Sequence, residues 1–258
     1  MERGGVKVGR LFISAILCVL LMSGKATAGW YHVENYEGTI GSQPVHVSLQ
    51  TYHGFGSGIT VEGSYFYDAR QSPIAVYGKL NGTKLALCEI SGKEEFDRIL
   101  VMGSKTPIDT AGCPFSLDIA ESGAAGTWSK GDSYPVTLKK VSSMDDTGDT
   151  KLDGTIEIPF WAETAADRFA GVYTNTDSGT CMAKMQVIKK SSGRVVQEIA
   201  FDDDGCNAGM LMTPIYDNVQ KWVEHGKDVI SVNFRGGGAG DTEDYVFNRA
   251  TGKYQQKK

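Results

Sequence analysis

The sequence is short of the features that hold nucleic acid, cross a membrane as a helix or form a familiar catalytic centre. Its 26 Lys and Arg stand against 31 Asp and Glu, a formal net charge of -5, and the clustered basic residues needed to bind phosphates are missing. No apolar run reaches the roughly 18 residues of a membrane-crossing helix. There is no G-x-S-x-G nucleophile elbow, no G-x-G-x-x-G turn and no Walker lysine. Prolines number 7 and histidines 4 in 258 residues, whereas glycines number 32. Without a G-X-Y period, a heptad pattern or a strongly biased composition, collagen, coiled coil and a largely disordered chain are excluded. What remains is a globular chain long enough for one large or two small domains.

The first 28 residues read as a secretory signal. Arg3, Lys7 and Arg10 form a basic leader, Leu11 to Met22 an apolar core, and Ala26-Thr27-Ala28 a small-residue cleavage site. As a helix the apolar core would span roughly 18 Å, short of a ~30 Å hydrocarbon layer. Cleavage before Gly29 and a periplasmic or secreted location are therefore expected, with no integral membrane segment after cleavage. Cys18 follows Ala15, Ile16 and Leu17, without the small residue that a lipidation signal places before its cysteine. Loss of the segment removes four basic residues and Glu2, leaving a net charge of -8.

Cys88, Cys113, Cys181 and Cys206 then remain, an even number suited to disulfides in an oxidising compartment. The spacing is 25 residues within each consecutive pair, which favours Cys88–Cys113 and Cys181–Cys206 among three connectivities. No C-x-x-C or H-x-x-x-H spacing accompanies them, so a zinc site is not expected.

Alternating patterns dominate from Gly29 to Val141. Val45, Val47 and Leu49 face one way while His46, Ser48 and Gln50 face the other, and Ile59, Val61, Tyr65 and Tyr67 repeat the pattern. Ile74 to Leu80 and Thr83 to Ile90 flank Asn81-Gly82, a pair suited to a type I′ hairpin turn. Further short strands are expected at Phe115 to Ile119, Gly126 to Trp128 and Tyr134 to Val141. Residues 142–154 are polar and aperiodic and read as a linker. Asp149, Asp153 and Gly154 there mimic part of a calcium loop, but Lys151 and Phe160 occupy positions that need oxygen ligands. In residues 155–258, strands are expected at Phe169 to Thr174, Thr180 to Lys189, Arg194 to Ile199, Val229 to Phe234 and Asp244 to Asn248. One helix is expected from Thr213 to Gly226, with Pro214 in its first turn and Ile215, Val219, Trp222 and Val223 as its apolar face. The fold class is thus mainly β, with antiparallel sandwich or barrel-like units in two tandem β-rich halves, 29–141 and 155–258, and one short helix in the second.

Catalysis requires a nucleophile, base and orienting group, or a metal. His32, His46, His53 and His225 are scattered, and His46 and His53 are seven residues apart, on opposite faces of a strand. Glu94 with Glu95, and Asp203 with Asp204, show no spacing that marks an acid/base pair. No catalytic residue, cofactor or metal is expected. Asp202, Asp203 and Asp204 before Gly205-Cys206 read as a solvated turn. The glycine-rich connection Arg235 to Thr242, with Arg235, Gly236, Gly237, Gly238 and Asp241, is the candidate partner-binding loop, because loops at strand ends carry recognition on a rigid sheet.

The string RGGGAGDTEDYVFNRATGKY, Arg235 to Tyr254, resembles the C-terminal signature of bacterial periplasmic lysozyme-inhibitor and immunity-like proteins. Residues 61 to 82, VEGSYFYDARQSPIAVYGKLNG, are similar to the G-x-Y-x-Y strand and hairpin of exported β-proteins of that kind. The resemblance implies a non-enzymatic exported binding protein that inhibits, or gives immunity against, a cell-wall hydrolase such as lysozyme, with a protein as its partner. An acidic surface would attract a basic hydrolase. The alternative is a cell-envelope hydrolase with a site between the two halves, built from His46 or His53 and an Asp.

Overall fold

The structure is a computed structural model and describes residues 31–52, 61–101, 109–145, 155–176, 179–201, 208, 214–234 and 241–257. The signal-like segment, residues 146–154 and, apart from Ala208, residues 202–213 lie outside them.

Eight strands close into an antiparallel up-and-down barrel: β1 (Tyr31–Ile40), β2 (Gln43–Tyr52), β3 (Val61–Tyr67), β4 (Ile74–Asn81), β5 (Lys84–Glu89), β6 (Phe115–Ala120), β7 (Gly123–Lys130) and β8 (Asp132–Asp145). Closure comes from pairing β1 with β8, which removes both sheet edges. Every strand sends side chains inward to one cluster, among them Tyr36, Val47, Tyr65, Val76, Leu87, Phe115, Ala124 and Leu138. The interior is a packed core. Gly63 faces that interior, where a Cβ would collide with the carbonyl of Ser48 on the adjoining strand. Its bare backbone lets β2 and β3 coil tightly enough to close the wall.

The Asn81-Gly82 hairpin forms, but one residue out of the expected register. Asn81 pairs with Lys84, so Gly82 and Thr83 are the central residues, and only Gly82 has positive φ (60°). That is the arrangement of a type II′ turn, which needs glycine first, rather than type I′. Strand β8 also runs to Asp145, so Ser142 to Asp145 are strand and not linker.

The second half contains two four-stranded antiparallel meanders. One comprises β9 (Thr155–Glu163), β10 (Asp167–Thr176), β11 (Gly179–Lys189) and β12 (Arg194–Ala200). The other comprises β13 (Val219–Glu224), β14 (Lys227–Phe234), β15 (Asp241–Asn248) and β16 (Lys253–Gln256). Ile158, Phe160, Phe169, Tyr173 and Met185 of the first share a core with Val219, Ile230, Val232, Tyr245 and Tyr254 of the second. Along one side, Gln197 on β12 stands in for a strand backbone: its Oε1 accepts from Tyr254 N at 2.8 Å and its Nε2 donates to Tyr254 O at 2.8 Å.

The helix expected from Thr213 to Gly226 is corrected. Among the described residues of that segment, helical structure is limited to α2 (Pro214–Asp217), and Val219 to Glu224 form β13. A helix continued through Gly226 would need helical φ at the end, whereas His225 and Gly226 have φ of 48° and 74°. Those angles make the I′ turn that returns the chain into β14. Strand pairing sets Trp222 against Val229, and the aromatic and β-branched residues suit a pleated surface. The other described helix, α1 (Lys93–Phe96), continues into a π-helical turn over Asp97–Val101 between β5 and β6.

One apolar cluster joins the halves. It combines Tyr31, Val33, Ala75, Tyr77 and Met144 from the barrel's outer wall with the core of the two meanders. Phe96 stacks on Trp161 at 5.2 Å between ring centroids and meets Tyr216 edge-on at 5.4 Å. This explains why β2 is not a half-solvated strand: Ser48 and Gln50 on its outer face are buried as well.

Candidate functional site

Among the described residues, chemistry-bearing side chains gather at the two ends of the barrel and at the joint between barrel and meanders. At the end where β5 and β7 finish, Leu87, Phe115, Trp128 and Tyr134 fall in one cross-strand row. Glu89 lies two residues beyond Leu87 on the same inward face. Its Oε1 accepts from Tyr65 Oη at 2.6 Å and from Trp128 Nε1 at 2.7 Å. Its Oε2 faces Lys130 Nζ at 3.4 Å. The carboxylate is largely buried, at 13% exposure, while the Lys130 side chain is 68% exposed. Burial, followed by the hydrogen bond to Glu89, pushes the Tyr65 phenol well above its usual range, so it remains a donor. Tyr67 packs edge-on to Tyr65 at 5.6 Å, and Trp128 lies 6.0 Å from Tyr134 with ring planes at 36°. Tyr134 is 43% exposed.

The opposite end holds a second inward carboxylate. Glu34 Oε2 accepts from Tyr36 Oη at 2.5 Å, and Oε1 meets Lys140 Nζ at 3.0 Å and His32 Nε2 at 3.4 Å. Burial alone would push the Glu34 carboxyl up. The hydrogen bonds from His32, Tyr36 and Lys140, together with the Lys140 charge, outweigh it and hold the group down at about 2.

At the joint, His46 Nε2 lies 2.8 Å from Asp68 Oδ1, and Nδ1 lies 3.7 Å from Glu37 Oε1. The imidazole stacks on Phe66 at 4.9 Å. The buried guanidinium of Arg168 also lies over the Phe66 ring, 4.5 Å from its centroid. Its Nε donates to Gln71 Oε1 at 2.9 Å, while Nη1 faces Glu157 Oε1 at 3.9 Å. Gln71 is itself held at φ 55°, with its Nε2 donating to Asp68 O at 3.1 Å. The joint therefore connects β2, β3 and β10 through one stacked and hydrogen-bonded group.

Cys88 and Cys113 form a disulfide with Cα atoms 4.4 Å apart, tying the end of β5 to the segment before β6. Cys181 is disulfide-bonded, and its expected partner Cys206 lies outside the described residues. Of the candidate recognition loop, Arg235, Gly236, Gly237 and Gly238 lie outside them. Asp241 opens β15, exposed, and its Oδ1 accepts from Thr242 N at 2.9 Å. His53, Asp203 and Asp204 lie outside as well, and His225 occupies the β13–β14 turn. Glu95 is engaged locally, accepting from Ser91 N and Oγ at 2.9 and 2.8 Å. Among the described residues no group of three or more His, Cys, Asp or Glu side chains is arranged to hold a metal ion, and no helix is long and apolar enough to cross a membrane.

The sequence reading missed both inward glutamates. Their signal was the alternation itself: Glu89 shares its parity with Leu85 and Leu87, and Glu34 with Tyr36 and Ile40, so each places a charge in a core register. No family model, no curated protein and no solved structure matches the chain.

Proposed function

We propose that this chain is an exported, non-enzymatic binding protein whose partner is a protein, with a basic cell-wall hydrolase such as lysozyme as the target class. The observation that carries the reading is the exposure of large side chains on a braced framework: Trp222 is 46% and Val223 61% exposed, on opposite faces of β13, the terminal strand of its sheet. Trp and Tyr held on rigid strands are the usual anchors of protein interfaces, since they bury much area for little lost entropy. The acidic balance adds long-range attraction toward a basic partner. The C-terminal resemblance to lysozyme-inhibitor and immunity-like proteins points to the same class.

The test is direct binding and inhibition. Purified processed protein is expected to slow lysis of cell-wall suspensions by basic muramidases, with inhibition weakening as salt is raised. Replacing both Trp222 and Val223 by Ser, or Arg235 and Asp241 by Ala, is expected to weaken inhibition while leaving the folded spectrum intact. Failure of the wild-type protein to bind any muramidase, or to be captured with any envelope protein, would sink the reading. Export itself is read by sequencing the N-terminus of secreted material, which is expected to begin at Gly29.

A second reading has one specific observation in its favour, the 2.8 Å contact between His46 and Asp68 beside the joint. A carboxylate so placed can orient an imidazole for base catalysis. If His46→Ala abolished a hydrolytic activity that survives in the Trp222 and Val223 double variant, a cell-envelope hydrolase would replace the binding protein.

A further inference from the structure

The geometry points to the β5–β7 end of the barrel as a binding platform for a neutral saccharide, with Tyr134 and Trp128 stacking on the sugar and Glu89 and Lys130 bonding to its hydroxyls. This inference stands apart from the protein-partner reading and uses different residues.

The first argument is the state of Glu89. A carboxylate in an apolar barrel end is costly unless its lone pairs are used. One oxygen is held by two well-placed neutral donors, Tyr65 Oη and Trp128 Nε1. The other has Lys130 at 3.4 Å, at the long edge of hydrogen bonding, on a side chain that reaches into water. Tyr65 and Trp128 therefore fix the carboxylate rigidly, and one oxygen keeps acceptor capacity toward the solvent side.

The second argument is charge. The Lys130 ammonium beside Glu89 disfavours a cationic ligand, and Glu89 disfavours an anionic one. As a pair they offer a strong acceptor and a strong donor within 3.4 Å of each other and no net charge, and Asp132, whose Oδ2 lies 3.5 Å from Tyr134 Oη, adds a second acceptor at the rim. Vicinal hydroxyls, each able to donate and accept, satisfy both members of such a pair.

The third argument is the aromatic surface. Trp128 and Tyr134 are neighbours across β7 and β8, with their planes tilted by 36°. Tyr134 lies against the β1–β2 turn, where a Cβ at Gly41 would come within 3.2 Å of its ring, so its orientation is set by packing. An exposed, oriented ring beside fixed polar groups matches a pyranose, which has an apolar C–H face and a polar rim. All these groups sit on strands of a closed barrel and are preorganised.

The experiment screens the processed protein against an array of neutral oligosaccharides, including β-1,4-linked N-acetylglucosamine trimers and glucose trimers, followed by saturation-transfer NMR and tryptophan fluorescence titration. Saturable binding is expected in the region of roughly 0.1 to 1 mM for a small surface site. Tyr134→Ala, at an exposed position, is expected to weaken it at least tenfold, and Lys130→Ala to weaken it several-fold, with circular dichroism unchanged in both. Glu89→Gln, which keeps the shape but removes the charge, is expected to weaken binding more than Lys130→Ala. Absence of saccharide binding across the array overturns the proposal, as does binding that Tyr134→Ala leaves intact. Perturbation of Tyr134 by a muramidase but by no sugar would also overturn it, assigning the face to a protein partner. Loss of muramidase inhibition in the Trp222 and Val223 double variant, with sugar binding retained, would separate the two readings.

Discussion

Tyr216, on the short helix of the second half, plants its hydroxyl on the backbone of Gly63 in the barrel wall. The hydroxyl donates to Gly63 O and accepts from Gly63 N at 3.1 Å, with Val76 O on the next strand 3.2 Å away. This buried phenol thus adds a directed contact between the halves to the Arg168–Gln71 bond and the shared apolar cluster. Tyr216→Phe removes those bonds from the buried joint. A loss of about 1–2 kcal/mol is expected in urea denaturation, with faster proteolysis near the joint. An unchanged midpoint would show that packing at the joint, and not these hydroxyl bonds, carries the contact.

Gly171 carries a different constraint. A Cβ there would lie 2.5 Å from Phe160, 2.7 Å from Tyr173 and 2.8 Å from Met182, three side chains that are fully buried in the core of the second half. Gly171→Ala is expected to cost about 1–3 kcal/mol through overpacking, although alanine suits a strand no worse than glycine does. Thermal unfolding measures this, and a stabilised variant would contradict it.

The disulfides invite direct mapping. Non-reducing peptide analysis is expected to recover Cys88–Cys113 and Cys181–Cys206, and a Cys113–Cys181 peptide would overturn both pairings. Each link closes a loop worth about 3.5 kcal/mol in the chain-entropy account. Replacing Cys88 and Cys113 by Ser is expected to lower stability by an amount of that order.

Acid is expected to weaken the barrel through Glu34. Its carboxyl is held at about 2, below its ordinary value of 4.5. The folded state therefore gains from the ionised group above pH 4.5 and loses that gain as pH falls toward 2. The shift alone corresponds to about 3 kcal/mol, and solvent screening at the partly exposed barrel end brings the expected loss below that. In Glu34→Gln, stability at neutral pH is expected to drop while the acid limb of the stability curve becomes shallower. A variant with the wild-type acid limb would show that other groups control it.

Much of the β architecture was legible in local pattern, because alternation and glycine turns act over a few residues. Val45, Val47 and Leu49 do face the barrel core, and the hairpin at Gly82 forms. The segment from Thr213 to Gly226 misled because Ile215, Val219, Trp222 and Val223 fit a helical face as well as a strand. Cross-strand pairing with β14 decided between them. The candidate barrel-end site was legible only in part: parity marked Glu89 as inward, but nothing local brings Tyr65, Trp128 and Lys130 to it.

By itself the sequence determined the strand periods, the turn glycines and the acidic balance, since these follow from local spacing and composition, and it favoured the Cys88–Cys113 pairing among three connectivities without deciding it. Tertiary structure decided that β1 closes on β8, that the meanders of the second half share a core with the barrel's outer wall, and that Glu89 meets Tyr65 and Trp128. Those outcomes depend on contacts between residues up to about a hundred and fifty positions apart, as with Gly63 and Tyr216. Their formation rests on burying two faces of the same strands at once, a requirement that no single alternating pattern encodes.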